Sequence, residues 1–328
     1  MEKRLYSAIV LCNPLLDHIC HVGDQFLDTI QATAGTMNLV DHSRFDEIQN
    51  QLGNYYVLPG GSGANTARGI AWLSGSREVS PAVYFGAVGN DGVGKHYEER
   101  LIEAGVVSKV SFKDSETGVS LVAVTPDSQR TMFTFLGACQ LMSQKDFDFS
   151  LIADTSIFHS TGYMWDTKNQ CELIQRAAVT SHSSGTLVSF DIADPFAAQR
   201  YGKDFLAWIP EHVNILFGNR DEFELLFGMH SSDEHIIAQA SSSADIVVMK
   251  VGAKGAYVAC DGEIMLSPGM PADVVDTTGA GDSFAAGFLY GLLHGRSPLE
   301  CAGIGNRLAG AIVEVDGCDY GKLKPIEL

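Results

Sequence analysis

The chain begins with an uninterrupted apolar run at 6–12 that stops at Asn13-Pro14. A run without polar alternation reads as a strand covered on both faces, as in the middle of a parallel sheet. Residues 18–41 show no clear period, and Gly23 and Gly35 interrupt their mixed polarity. An amphipathic helix is expected over 43–52 and a strand over 55–58. Ala64, Ala67, Ile70, Ala71 and Leu73 then share one face of a helix whose small side chains suit close packing on a sheet. A second buried strand is expected at 82–88 and, past the turn at 89–94, a helix at 96–104. Segments 117–125 and 130–135 flank Pro126-Asp127-Ser128-Gln129 and read as a β-hairpin. Beyond 151, strands expected at 156–159, 186–191, 213–217 and 246–251 alternate with helices. Residues 250–257 read as strand, tight turn, strand, and 301–313 as a helix rich in Gly and Ala. Such alternation implies right-handed crossovers, hence an α/β fold: a doubly wound, mostly parallel sheet with helices on both faces. No repeat, coiled coil or low-complexity tract interrupts it, and no linker is long enough to divide it, so 1–328 is expected to form a single domain.

Within that frame one stretch carries candidate chemistry. Asp276-Thr277-Thr278-Gly279-Ala280-Gly281-Asp282-Ser283-Phe284 follows a strand-like run, Asp273-Val274-Val275, and leads into a helix with Phe284, Phe288 and Leu292 at intervals of four. A Gly-Ala-Gly turn at a helix start leaves backbone N–H groups pointing outward, and the helix dipole favours an anion there. Asp282 has two readings: a helix-capping carboxylate, or a base that takes a proton from an attacking hydroxyl beside that anion site. In open α/β sheets ligands gather beyond the strand C-termini. Asn13 and Asp17 lie beyond the first strand, where Asn-Pro equally starts turns. Two later strand ends carry aromatics, in Gly162-Tyr163-Met164-Trp165 and Asp194-Pro195-Phe196. Such rings either pack in the core or flank a flat ligand. Gly60-Gly61 either admits a ligand close to the backbone or is an ordinary loop. Asn219-Arg220-Asp221-Glu222 reads as a helix start with acidic residues in its first turn. Arg130 reads as an edge charge. Gly89-Asn90-Asp91-Gly92-Val93-Gly94 is no dinucleotide fingerprint, because its glycine spacing is wrong and no acidic strand end follows at the required distance.

Composition narrows the partners. With 328 residues, 45% of them apolar, the chain can bury a large core. A formal net charge of -18 speaks against nucleic acid and anionic membranes as partners, while leaving room for a nucleotide at a local positive site. Seven scattered cysteines without paired spacing point to reduced thiols in the cytoplasm, not to disulfides or a zinc site. The first seven residues lack the apolar core of a signal peptide, and no apolar run is long enough to span a membrane.

The stretch 276–284 resembles the second signature of the ribokinase-like, or PfkB, family of sugar and nucleoside kinases. Gly60-Gly61-Ser62-Gly63-Ala64-Asn65-Thr66-Ala67 resembles the first, in the right order and at about the right separation, so the resemblance spans essentially the whole chain. It implies a ribokinase-like fold with a small β-sheet lid from insertions at about 17–41 and 111–137, acting as monomer or homodimer in ATP- and Mg2+-dependent phosphorylation of an alcohol. By the same resemblance Asp282 is the catalytic base, and the amides of Gly279, Ala280 and Gly281 stabilise the transferred group. Asn13, Asp17, Gly60, Gly61 and Asn65 hold the acceptor. Asn13-Pro14-Leu15-Leu16-Asp17 is similar to the substrate-binding start of the adenosine kinases in this family, in which the Asp accepts from ribose hydroxyls. Tyr163 and Phe196 resemble the aromatics those kinases place around the nucleobase, and Arg130 their lid arginine at the transferring phosphate. Asn219 and Glu222 match an Asn-x-x-Glu motif that orders magnesium through water. Lys250, Gly252 and Gly255 fall where the family contacts the nucleotide, and Asn306 near the adenine of ATP. Asp276, with backbone carbonyls near Thr278 and Gly317, matches a potassium site. Three readings follow: a nucleoside kinase acting on the 5′-hydroxyl of adenosine in purine salvage, a kinase of a free sugar such as ribose or fructose, and a non-catalytic regulator that keeps the pocket.

Overall fold

A computed structural model describes residues 4–23, 25–75, 81–127 and 129–327. Residues 1–3 of the N-terminus and Ser128 of the hairpin turn, both read from the sequence above, lie outside the described residues. In chain order come β1 (Tyr6–Leu11), β2 (Leu16–His21), α1 (Phe26–Thr29), β3 (Met37–Leu39), α2 (His42–Gln49), β4 (Tyr56–Pro59), α3 (Ser62–Ser74), β5 (Val83–Gly89), α4 (Gly92–Glu103), β6 (Val107–Lys113), β7 (Val119–Val124) and β8 (Arg130–Phe135). The second half adds β9 (Thr155–Thr161), α5 (Lys168–Ser184), β10 (Leu187–Asp191), α6 (Pro195–His212), β11 (Ile215–Asn219), α7 (Arg220–Phe227), α8 (Asp233–Ala240), β12 (Ile246–Lys250), β13 (Gly255–Cys260), β14 (Glu263–Pro268), α9 (Ala280–Leu293) and α10 (Pro298–Ile312).

Among the described residues the larger sheet has nine strands, in the order β14-β13-β12-β11-β10-β9-β1-β5-β6. Pairing is parallel from β12 across to β6 and antiparallel at the β12-β13-β14 edge. Strand β1 lies between β5 and β9, so the winding reverses beside it, and a crevice opens beyond its C-terminal end. Apolar side chains are buried on both faces. Leu173 and Ala177 of α5 and Phe205 of α6 pack with Ile9, Phe158 and Phe190 on one side. Ile70 of α3, Phe288 of α9 and Leu308 of α10 pack with Ala8, Phe217 and Val248 on the other. The helices of that second layer approach closely, as their small residues predict: a Cβ on Gly287 would fall 2.8 Å from Gly305 Cα, and one on Gly69 2.6 Å from Ala286 Cβ. A second sheet of five strands runs β3-β8-β7-β2-β4. Leu27, Ile30, Phe45 and Ile48, carried on and beside α1 and α2, bury one of its faces by packing on Leu121, Ala123 and Phe133.

Four local expectations need correction. The run at 273–275 is not a strand: Val274 and Val275 are 63% and 59% exposed, and the segment hangs by Val275 and Asp276 N–H bonds to Val313 O. The helix expected at 96–104 starts at Gly92, because Asp91 caps it by accepting from Gly94 N. The aperiodic stretch at 18–41 includes most of β2, which pairs with β4 and β7. Strands β6 and β14 are additional to the expected ones.

Candidate active site

The C-terminal ends of β1, β10, β11 and β12, the start of α3 and the start of α9 converge with the small sheet on a cavity of about 980 Å³. Gly279 precedes α9 with φ +71, and a Cβ there would fall 2.4 Å from Cys318 Sγ, so glycine is required both by conformation and by space. Asp282, in the first turn of α9, does not cap that helix. Its carboxylate instead accepts from Ser62 Oγ at 2.5 Å and from Asn65 Nδ2 at 2.8 Å, both on α3. Asn65 is itself oriented by Arg68, whose guanidinium reaches Asn65 Oδ1. Desolvation raises the Asp282 pKa, against the two hydrogen bonds that lower it. That combination gives a fixed, half-buried carboxylate of increased basicity on the cavity wall. Of the three candidate amides, Ala280 N already reaches Thr277 O at 3.3 Å. Gly281 opens the helical turn toward Lys250: a Cβ on it would lie 3.2 Å from Lys250 Nζ. Lys250 Nζ in turn donates to Asp191 Oδ2 at 2.7 Å.

Asn13, Asp17, Gly61, Arg130 and Tyr163 line the same cavity. Asp17 projects from β2 against Gly60, where a Cβ would fall 2.2 Å from its Oδ2. Burial pushes its pKa to about 7, with Arg130 pulling it down and Asp282 pushing it up. Gly61, at φ +90, passes so near β1 that a Cβ would meet Asn13 O at 2.6 Å. Asn13 accepts from Gln170 Nε2 at 2.6 Å through Oδ1, which fixes its amide. Tyr163 OH donates to Ala193 O at 3.3 Å. Of the two expected ring positions, Tyr163 lines the cavity and Phe196 does not; the Phe196 ring lies 6.0 Å from the guanidinium of Arg200, one turn further along α6.

Gly252, Gly255 and Asn306 line the same cavity. Asn306 Nδ2 donates to Ser267 Oγ and Pro268 O, both at 3.0 Å, and thereby ties α10 to β14. Asn219 and Glu222 also face the cavity but satisfy one another as a capping box: Asn219 Nδ2 and N donate to the two carboxylate oxygens at 2.7 and 2.8 Å. Asp276, Thr278 and Gly317 come together, with Asp276 accepting from Thr278 N, Thr278 Oγ1 and Gly317 N at 2.8–2.9 Å. Arg130 pairs with that same carboxylate and so ties the small sheet to the turn before α9.

The sequence profile of the pfkB family carbohydrate kinases matches residues 24–325. The chain belongs to that family. It is accordingly a phosphotransferase acting on a hydroxyl group. Solved structures similar to this kinase include a probable sugar kinase from Rhizobium etli CFN 42 (TM-score 0.91, 32% identity, covering 96% of this chain and 95% of that one). Another is the adenosine kinase from Sinorhizobium meliloti (TM-score 0.89, 30% identity, 95% of each chain). Adenosine kinase 1 of Arabidopsis thaliana is 26% identical over 94% of both chains.

Two residues of this kinase's site were not anticipated. Ser62 sits inside the first signature but gave no sign that it would hold Asp282, and Asp191 at the end of β10 gave none that it would hold Lys250. Among the described residues no cluster of three His, Cys, Asp or Glu side chains is placed to bind a metal ion. Asn219 and Glu222, already bonded to one another, fit magnesium only through water. Asp276 offers a fixed carboxylate that fits a monovalent cation, in competition with Arg130.

Proposed function

We propose that this kinase transfers the γ-phosphate of ATP to the 5′-hydroxyl of a nucleoside, adenosine foremost. The observation that carries the reading is the Asp282 carboxylate, held by Ser62 and Asn65 in one cavity with Lys250, the start of α9 and Asp17. The acceptor oxygen attacks the γ-phosphorus, its proton passes to Asp282, and the bond from phosphorus to the departing ADP oxygen breaks. The first-turn amides of α9 stabilise charge on the transferred group. Asn219 and Glu222 would hold a nucleotide-bound magnesium ion through water, and that ion would supply neutralisation of phosphate charge. Asp17 accepts from acceptor hydroxyls, Tyr163 offers a ring to a base, and the small sheet with Arg130 acts as a lid that excludes water. The relatives named adenosine kinase support a nucleoside acceptor. All seven cysteines are free, in keeping with a cytoplasmic enzyme.

Phe196 favours a second reading. With Phe196 absent from the cavity lining, one half of the expected base clamp is missing, and a free sugar such as ribose would also satisfy Asp17. A phosphorylation screen with ATP over nucleosides and sugars decides: higher kcat/KM for adenosine than for ribose or fructose supports the first reading, and the reverse order supports the second.

Two conditions should modulate turnover. Asp17 titrates at about 7 in the unliganded enzyme, so its carboxylate is ionised above that pH and protonated below it. The ionised form is the acceptor for sugar hydroxyls. Acceptor KM is therefore expected to rise as pH falls through about 7, and to lose this dependence in Asp17→Asn. A pH-independent KM in the parent enzyme would contradict the role given to Asp17. If potassium binds at Asp276, activity rises when potassium replaces sodium or a large organic cation at fixed ionic strength. A flat response would leave Asp276 as the partner of Arg130, Thr278 and Gly317 alone.

A further inference from the structure

We propose that Lys250 is the cation that meets the γ-phosphate during transfer, and that Asp191 is the positioning residue that holds it in place. The proposal rests on the kinase reading above, and assigns a division of labour that this reading leaves open. Lys250 ends β12 and Asp191 ends β10, two strands separated in the sheet only by β11. Their side chains are 15% and 4% exposed and meet at 2.7 Å. Asp191 is fixed from its other oxygen, Oδ1, which accepts from Ala193 N at 3.0 Å. The ammonium therefore has a defined position, and that position is 3.2 Å from the point where a Cβ would leave Gly281. It stands beside the first turn of α9, where backbone donors and the helix dipole already favour an anion.

An ammonium has three donors, and Asp191 takes one. The remaining donors border a cavity shared with Gly279, Ala280, Gly281 and Asp282. Desolvation lowers the Lys250 pKa, but Asp191, Glu222 and Asp282 together outweigh it and raise the value, so the group stays charged. A carboxylate partner also keeps the resting ammonium away from a direct bond to Asp282, which accepts from Ser62 and Asn65 instead. During transfer Lys250 keeps its proton: the acceptor proton goes to Asp282, the new oxygen–phosphorus bond forms, the old one breaks, and the ammonium follows the charge on the phosphoryl oxygens. A structural salt bridge would contribute to folding alone. A phosphate-directed lysine discriminates nucleotides by the presence of the third phosphate.

The test separates these. Binding of a non-hydrolysable triphosphate analogue and of ADP is measured by calorimetry, and turnover with ATP by phosphorylation of the best acceptor, for the parent enzyme, Lys250→Met, Lys250→Arg and Asp191→Asn. Lys250→Met is expected to weaken the triphosphate by about tenfold to a hundredfold, as for loss of a charge-assisted hydrogen bond. ADP and acceptor affinity should change much less, and kcat should drop by about a hundredfold or more. Lys250→Arg should restore part of kcat, and Asp191→Asn should lower kcat with a smaller change in nucleotide affinity. If Lys250→Met fails to fold because Asp191 is left as a lone buried charge, Lys250→Met/Asp191→Asn removes both charges and carries the same expectations. Unchanged discrimination between triphosphate and ADP, together with unchanged kcat, overturns the proposal. Absence of transfer by the parent enzyme to any acceptor would instead count against the kinase reading, while the binding comparison still reports on Lys250.

Discussion

Asp282→Asn is expected to fold like the parent enzyme and to lose about a hundredfold to ten-thousandfold in kcat, the range seen when a general base is removed. Asparagine has nearly the same shape, and its amide oxygen can keep one of the bonds from Ser62 and Asn65. What it cannot do is accept the hydroxyl proton. Acceptor KM should move little, because Asp17, Gly61 and Tyr163, the cavity residues proposed to face the acceptor, are untouched. The pH profile gives an independent check. Desolvation raises the Asp282 pKa, so the parent rate falls on the acid side as the carboxylate protonates. That limb should vanish from the residual activity of Asp282→Asn. Parent-like turnover in a folded Asp282→Asn would remove the base from Asp282, and retention of the acid limb would assign that limb to another group.

The parallel core of the sheet was legible because β1, β5 and β12 are mainly apolar runs, as doubly covered strands require. Strands β6 and β14 escaped the same reasoning. They lie at the two edges of the sheet, and neither presents such a run, with Ser108, Lys109 and Ser111 in one and Glu263 and Ser267 in the other. Val274 and Val275 misled in the opposite sense: they are β-branched but exposed, so they obey local propensity without any sheet to join. In the site, motif residues close in sequence to their partners were readable, such as Asn219 with Glu222. Pairs assembled by topology were not. Ser62 and Asp282 are 220 residues apart and Lys250 and Asp191 are 59 apart. Phe196 shows a third limit: its place at the start of α6 was foreseeable, and its neighbour Arg200 is the i+4 residue of that helix, but whether its ring lines the cavity depends on how α6 docks on the sheet.

Gly281→Val should separate the anion site from the fold, and Gly279→Ala is its control. Both glycines belong to one turn, yet the structure makes different demands on them. Gly279 is left-handed, and a Cβ there would fall 2.4 Å from Cys318 Sγ and 2.6 Å from Cys318 Cβ. A substitution at 279 is therefore expected to destabilise the folded protein, through backbone strain of about 1–3 kcal/mol and an added clash. Gly281 has a helical backbone, and the atoms within 4 Å of its Cβ position are the end of the flexible Lys250 side chain, Nζ at 3.2 Å and Cε at 4.0 Å. Valine at 281 can be accommodated by a small shift of that lysine, so the thermal midpoint should stay near that of the parent. The cost falls on function: the isopropyl group fills the space between the first-turn amides and the ammonium, where the transferred phosphate is proposed to sit. Turnover should drop by about a hundredfold to a thousandfold, comparable to loss of an oxyanion-type donor, with acceptor KM little changed. Parent-like kcat in a folded Gly281→Val would mean that the phosphate does not approach this turn, and the anion site would have to be sought elsewhere along the cavity.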